Sequence, residues 1–168
     1  MRADRHTGGG GRARRGHAVV EVALLAPWIF FLFVGAFDMG FYAYSLISTE
    51  NAARAAALYT SDSPAATTDQ AGACCFALKE LEGMGNVRGP AFSATACACV
   101  DIAAVDDANP VGVRVEELDS TTAPPSMDGQ LASRVTVRYR TIRMVPIPGV
   151  LSGQETMTRA VEMRVRQW

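Results

Sequence analysis

The chain is 168 residues long, which predicts a single domain, and 49% of its residues are hydrophobic, which excludes an intrinsically disordered protein. The formal net charge is −1, but residues 1–16 hold five arginines and one acid, so the remainder of the chain carries a charge of −5. This acidic balance argues against a nucleic-acid-binding protein.

The first fifteen residues combine arginines with a run of glycine at positions 8–11. Glycine-rich sequence of this kind is flexible and cannot build a hydrophobic core. We therefore predict an unstructured tail for residues 1–15, which ends at the junction between Gly16 and His17.

An apolar segment follows at residues 17–47. It has no ionisable side chain between Val22 and Phe37, and its length exceeds the roughly 20 residues that a helix needs to cross a bilayer. A cleaved secretory signal is the rival interpretation, but the apolar core of such a signal is usually about 7–15 residues long. The sequence therefore predicts a membrane-spanning helix. Because arginines crowd its N-terminal side, we expect a cytoplasmic N-terminus and an exported C-terminal part.

Helical sequence continues beyond this segment through residues 48–59. The region is rich in alanine, the strongest helix former, and the next proline is Pro64. We predict one rod of about 65 Å from His17 to Tyr59, at 1.5 Å per residue. A membrane helix followed by a separate short helix is the alternative.

The C-terminal part combines a short amphipathic helix with segments of strand character. Apolar residues at helical spacing predict a helix over Asp69–Leu81, which glycines at positions 83 and 85 end. Alternation of apolar and polar residues predicts strands in four segments: 92–102, 111–115, 135–140 and 157–165. A helix is the alternative prediction for 157–165. Together these elements predict an α+β fold, in which a long N-terminal helix precedes a small exported head with an antiparallel sheet. The pattern does not predict the order of the strands in that sheet.

The predicted head contains four cysteines, Cys74, Cys75, Cys97 and Cys99. In a small exported domain, cysteines form disulfides more often than a metal site. A bridge between the adjacent Cys74 and Cys75 would distort the backbone, so each should pair with either Cys97 or Cys99. Both remaining pairings would tie the predicted short helix to the first predicted strand.

The sequence contains no recognisable catalytic constellation. Its two histidines, His6 and His17, lie outside the predicted head, so a Ser-His-Asp or Cys-His site has no histidine there. The glycines form no phosphate-binding loop. Acidic pairs at 106–107 and 116–117 lack the surroundings of a calcium loop and are predicted to be solvated turns. We therefore expect no enzymatic activity, no catalytic residue, no cofactor and no bound metal.

The junction at Gly16 and the residues after it resemble a known family. The chain has the pattern R-G-x-A-x-V-E-x-A-L-x-x-P from Arg15 to Pro27, and the alanine-rich stretch 50–59 follows downstream. This arrangement resembles the TadE-like pseudopilins of tight-adherence pili, which fall in the type IV pilin class. The chain departs from the usual pattern at two positions. His17 is an unusual residue directly after the glycine, and Val22 stands where the family commonly has phenylalanine.

The resemblance implies three regions: a basic leader at 1–16, an apolar helix at 17–60 and an exported pilin-like head at 61–168. It also implies that a prepilin peptidase cuts after Gly16, on the cytoplasmic side of the inner membrane. His17 would then carry the new amino group. Glu21 lies about one helical turn later, so it could meet the amine of its own subunit or that of a neighbour during subunit assembly.

The implied function is that of a minor pseudopilin, a structural subunit of a tight-adherence pilus held in the inner membrane. The implied partners are the prepilin peptidase, the major pilin, other minor pseudopilins, the inner-membrane assembly platform and membrane lipid, with no nucleic acid among them. The alternative function is that of an uncleaved single-pass membrane protein whose exported head binds a ligand. The two functions differ in whether residues 1–16 are removed.

Overall fold

The computed structural model describes residues 11–88, 96–119, 121, 130–145 and 153–166. The chain divides into two compact units, residues 1–39 and 40–168, with the boundary inside the first helix. Among these residues the α-helices and strands are α1 (Gly11–Thr60), α2 (Gln70–Leu81), β1 (Val111–Leu118), β2 (Ala132–Arg140) and β3 (Thr156–Arg164).

Helix α1 is continuous from Gly11 to Thr60, which confirms the single rod predicted from His17 to Tyr59. The expectation of an unstructured tail is wrong for residues 11–15, which are helical; residues 1–10 lie outside the described residues. Arginine and alanine at positions 12–15 are good helix formers, and adding residues to an existing helix avoids the cost of nucleation.

The core of the second unit forms where one face of α1 meets α2 and the sheet. Four alanines of α1 are completely buried on that face, and their small side chains let the helix lie close to its neighbours: Ala52, Ala53, Ala56 and Ala57. The other elements contribute larger apolar side chains to the same cluster, among them Leu78, Leu81, Val113, Val137 and Tyr139. The architecture is the predicted α+β, pilin-like one.

A buried polar contact fixes the end of α1 against the sheet. The hydroxyl of Ser133, on β2, donates a hydrogen bond of 2.7 Å to Oγ1 of Thr60, and both residues are completely buried. The Thr60 hydroxyl in turn donates to the carbonyl of Ala57 at 3.2 Å. Both hydroxyl groups therefore have partners, as burial requires.

The sheet is antiparallel with the order β1-β2-β3. Alternation along β2 is clear, because Val135, Val137 and Tyr139 are completely buried while the residues between them are partly exposed. The strands predicted at 111–115 and 135–140 are confirmed. Thr156–Arg164 is also a strand, so the rival prediction of a helix there is wrong.

The strand predicted at 92–102 is wrong where the structure describes it; residues 92–95 lie outside the described residues. From 96 onward only Val100 makes a bridge, to Gly112, and a 3-10 turn occupies Ile102–Ala104. The side chain of Asp101 accepts a hydrogen bond from the amide of Ala103, which caps that turn. Alternation among small side chains therefore did not produce a strand.

Tyr139 is the largest completely buried side chain described in the head. Its hydroxyl donates to Oδ1 of Asn86 at 2.6 Å, and Nδ2 of Asn86 donates to the carbonyl of Arg140 at 2.8 Å. Burial raises the pKa of Tyr139 to about 12. The phenol therefore remains neutral at physiological pH, and Tyr139 is a structural residue of the core.

Candidate functional site

The predicted processing junction lies inside α1. Gly16 has a helical backbone, and His17 is exposed. Glu21 follows one turn later and is exposed, with no hydrogen bond or ion pair within the described part of the chain. Its carboxylate is therefore available to a group outside this chain.

The helix around Glu21 is apolar and exposed. None of the residues from His17 to Phe33 is even partly buried, and the side chains of Trp28, Phe30 and Leu32 are at least 65% exposed. The stretch 17–37 is about 31 Å long at 1.5 Å per residue, which matches the hydrocarbon thickness of a bilayer. By length and composition, α1 is the one described helix that could cross a membrane.

Asp38 ends this exposed stretch and was missed as a notable residue by sequence reasoning. It is only 4% exposed, and its Oδ2 has no hydrogen-bond partner among the described residues. A buried acid is uncommon unless it is paired. The signal in the sequence is that Asp38 is the first acid after sixteen residues without an ionisable side chain, Val22 to Phe37.

The four cysteines form two disulfides, Cys74–Cys99 and Cys75–Cys97. Cys74 is 2% exposed and belongs to the core cluster, whereas Cys75 and Cys97 are partly exposed. The bridges join α2 to the segment before β1, so this is one of the two pairings that the sequence left open. Cys97 has a φ of 47°, a left-handed conformation that a period-two strand pattern does not predict.

A polar and aromatic cluster joins the end of α1 to the start of α2. Asp69 caps α2 by accepting a hydrogen bond of 3.0 Å from the amide of Gly72, and the hydroxyl of Tyr59 donates to its other oxygen at 2.5 Å. The Gly72 amide first, and the Tyr59 hydroxyl second, hold the pKa of Asp69 below its usual value. The Tyr59 ring stacks on Phe76 with centroids 4.8 Å apart.

The acidic pairs at 106–107 and 116–117 differ in structure. Asp106 accepts hydrogen bonds from the amides of Ala108 and Asn109, which makes a turn as predicted. Glu116 and Glu117 instead lie within β1, so the prediction of a turn there is wrong. The described residues contain no group of three or more His, Cys, Asp or Glu side chains placed to hold a metal.

Comparison with known proteins found a similarity, and it lies within α1. The family model described as TadE-like protein matches residues 16–58. No curated protein and no solved structure matches the chain. The matched stretch starts at Gly16 and includes His17, Glu21 and the exposed apolar stretch. Over residues 16–58 the chain is therefore similar to TadE-like proteins.

Proposed function

We propose that this protein is a minor pseudopilin: an inner-membrane subunit of a tight-adherence pilus that a prepilin peptidase processes after Gly16. The observation that carries the proposal is the match to the TadE-like family over residues 16–58, which includes an apolar stretch, residues 17–33, whose side chains are all exposed. An apolar stretch that its own chain leaves uncovered is suited first to contact with lipid and then to contact with neighbouring helices. Its work is assembly, not turnover.

The described head is consistent with export. Two disulfides join α2 to the segment before β1, and disulfides persist in oxidising compartments such as the bacterial periplasm. The arginines before the apolar stretch favour a cytoplasmic N-terminus by the positive-inside rule. These two features support one topology, with residues 1–16 cytoplasmic and residues 61–168 exported as a single head.

Glu21 is the residue that we propose acts in assembly. A carboxylate within an apolar helix is costly in a membrane unless it finds a partner, about 2.5–3.5 kcal/mol at the centre of the bilayer on insertion scales. Glu21 has no partner among the described residues, and cleavage after Gly16 would create one, the amino group of His17. In a bundle of subunits, the carboxylate of one chain meets the amine of the next and sets its axial position.

Replacement of Glu21 tests this role. We expect Glu21→Ala to be inserted and processed normally but to fall at least tenfold in the assembled pilus fraction, measured by quantitative immunoblotting of assembled and membrane fractions. Glu21→Gln should show the same defect, because an amide cannot neutralise an ammonium. Leu25→Ala, one turn further along the same exposed surface, is the matched control and should assemble normally. Wild-type assembly of Glu21→Ala would contradict the role.

A further inference from the structure

The two edges of the sheet differ in how the chain covers them. At the β1 edge, Val100 accepts a hydrogen bond from the amide of Val113 at 3.0 Å and forms a parallel bridge with Gly112. At the other edge lies β3, which is nine residues long and, among the described residues, pairs with β2 alone. A long unpaired edge presents a row of backbone donors and acceptors to other chains.

The hydrogen bonds around β3 show which of its backbone groups face outward. The amide of Thr141 donates to the carbonyl of Glu155 at 2.9 Å, and the amide of Val165 donates to that of Leu131 at 3.0 Å. Odd-numbered residues of β3 therefore bond to β2, and even-numbered residues point their N–H and C=O groups away from it. Consistent with this alternation, the carbonyl of Thr158 accepts a hydrogen bond from the side chain of Arg159.

The free edge is accessible at its first residues. Thr156, Thr158 and Ala160 are all exposed, and none of them carries a charge. Natural proteins protect free edges with charges, prolines or bulges. The single charge between Thr156 and Val161 is Arg159. Its guanidinium lies near Glu50 of α1 and also donates to the carbonyl of Thr158, so it occupies one acceptor of the edge.

A groove of about 360 Å³ lies beside this edge, between α1 and β3. Its apolar part is formed by Leu46 and Ile47, and Ile47 is 61% exposed. Arg159 lines the groove from β3 because odd-numbered side chains of that strand point to the α1 side of the sheet. A strand added to β3 would direct every second side chain toward the same side.

The polar part of the groove carries an excess of positive charge. Glu50 binds Nε of Arg54 at 3.0 Å through one oxygen and lies 3.7 Å from Nε of Arg159 through the other. One carboxylate thus faces two guanidinium groups, and Arg54 is 62% exposed. A guanidinium has five donors in a planar fork, so both arginines can bind a further carboxylate.

We propose that the free edge of β3 and this groove together bind an extended segment of a partner protein that pairs with β3 as an added strand. The segment has an apolar side chain that enters the groove against Leu46 and Ile47. It has an acidic side chain two residues away that pairs with Arg54 and Arg159. Recognition combines backbone hydrogen bonds with side-chain pockets, as in other strand-addition interfaces. This site is separate from the Gly16 junction and from Glu21, and it does not depend on processing.

Amide exchange and peptide binding test the site on the full chain in detergent micelles. In the free chain we expect the amides of Thr158 and Ala160 to exchange rapidly while those of Arg159 and Val161 are protected. The probe is the capped peptide TLTDTLT, and its control is TLTKTLT. The acidic peptide should protect the Thr158 and Ala160 amides and bind at least tenfold more tightly than the basic one.

Two variants separate backbone pairing from charge recognition. Ala160→Pro removes an outward N–H while keeping the bonds to β2, so it should weaken binding of TLTDTLT at least tenfold. Arg54→Gln, on the exposed helix surface, keeps the fold and should reduce the preference for the acidic peptide to within threefold. Protected Thr158 and Ala160 amides in the free chain would overturn the proposal. Equal binding of both peptides by the unaltered chain, or no protection at millimolar peptide, would overturn it as well.

Discussion

The side chain that Gly72 lacks would collide with Tyr59. A Cβ atom built on Gly72 would lie 2.3 Å from Cε1 of the Tyr59 ring and 2.5 Å from Oδ2 of Asp69. Tyr59 belongs to α1 and Gly72 to the first turn of α2, so the glycine permits the close approach of the two helices. The same approach lets the Tyr59 hydroxyl reach the carboxylate that caps α2.

We predict that Gly72→Ala destabilises the head, because the added methyl group must displace an aromatic ring that is stacked on Phe76. Overpacking of this kind costs about 1–3 kcal/mol, which lowers the unfolding midpoint by about 2–4 °C for each kcal/mol at this chain length. Near-ultraviolet circular dichroism on heating measures the midpoint. Gly40→Ala is the matched helical control, because nothing lies within 4 Å of its added Cβ. A midpoint for Gly72→Ala equal to that of the control would contradict the packing argument.

The two disulfides are predicted to contribute unequally to stability. They close loops of similar length, with sequence separations of 25 and 22, so their effects on unfolded-chain entropy are similar. Cys74 is buried in the core, however, and its removal also leaves a cavity. Each paired alanine variant should lose about 2–5 kcal/mol, and Cys74→Ala/Cys99→Ala should lose the larger amount in denaturant unfolding.

Non-reducing peptide mapping checks the pairing on which this prediction rests. The expected peptides join Cys74 to Cys99 and Cys75 to Cys97. A peptide joining Cys74 to Cys97 would refute the pairing. Equal losses of unfolding free energy in the two paired variants would refute the predicted larger contribution of the buried bridge.

Acid is predicted to weaken the junction between α1 and α2 through Asp69. The pKa of Asp69 is held below its usual value of 3.8, mainly by the Gly72 amide. The stabilisation from the ionised carboxylate is therefore complete at pH values well above 3.8, and it is lost as the pH falls through the folded-state pKa. Asp69→Asn should lower the denaturant midpoint at pH 7 and should lower it by less at pH 2.5, where a larger fraction of the carboxylate is protonated. A loss of the same size at both values would exclude this linkage.

Much of the head could be predicted from the sequence because long side chains alternate clearly there. Val135, Val137 and Tyr139 identify β2, and the helical spacing after Asp69 identifies α2 within one residue. The segment around Cys97 could not be predicted, because its pattern consists of small residues. Its backbone follows the disulfides, the bridge at Val100 and the capped turn after Asp101, which are all tertiary or local contacts.

The proposed assembly site was predictable only in part. Composition and spacing single out Gly16, His17 and Glu21, and the structure leaves Glu21 exposed. Its proposed partner, however, is an amine that exists only after cleavage and in a bundle belongs to another subunit. The burial of Asp38 could not be predicted either, because burial depends on tertiary structure and the residue lies next to an apolar run that predicts exposure to lipid.

The intact mass of the full chain, expressed with and without an active prepilin peptidase, tests the central claim most directly. The account predicts that the peptidase removes residues 1–16 and leaves His17 as the first residue. Gly16→Leu should block this cleavage, while Gly11→Leu, within the leader, should not. An unprocessed chain that retains Met1 in the presence of an active peptidase would contradict the account and favour an uncleaved membrane protein with a ligand-binding head.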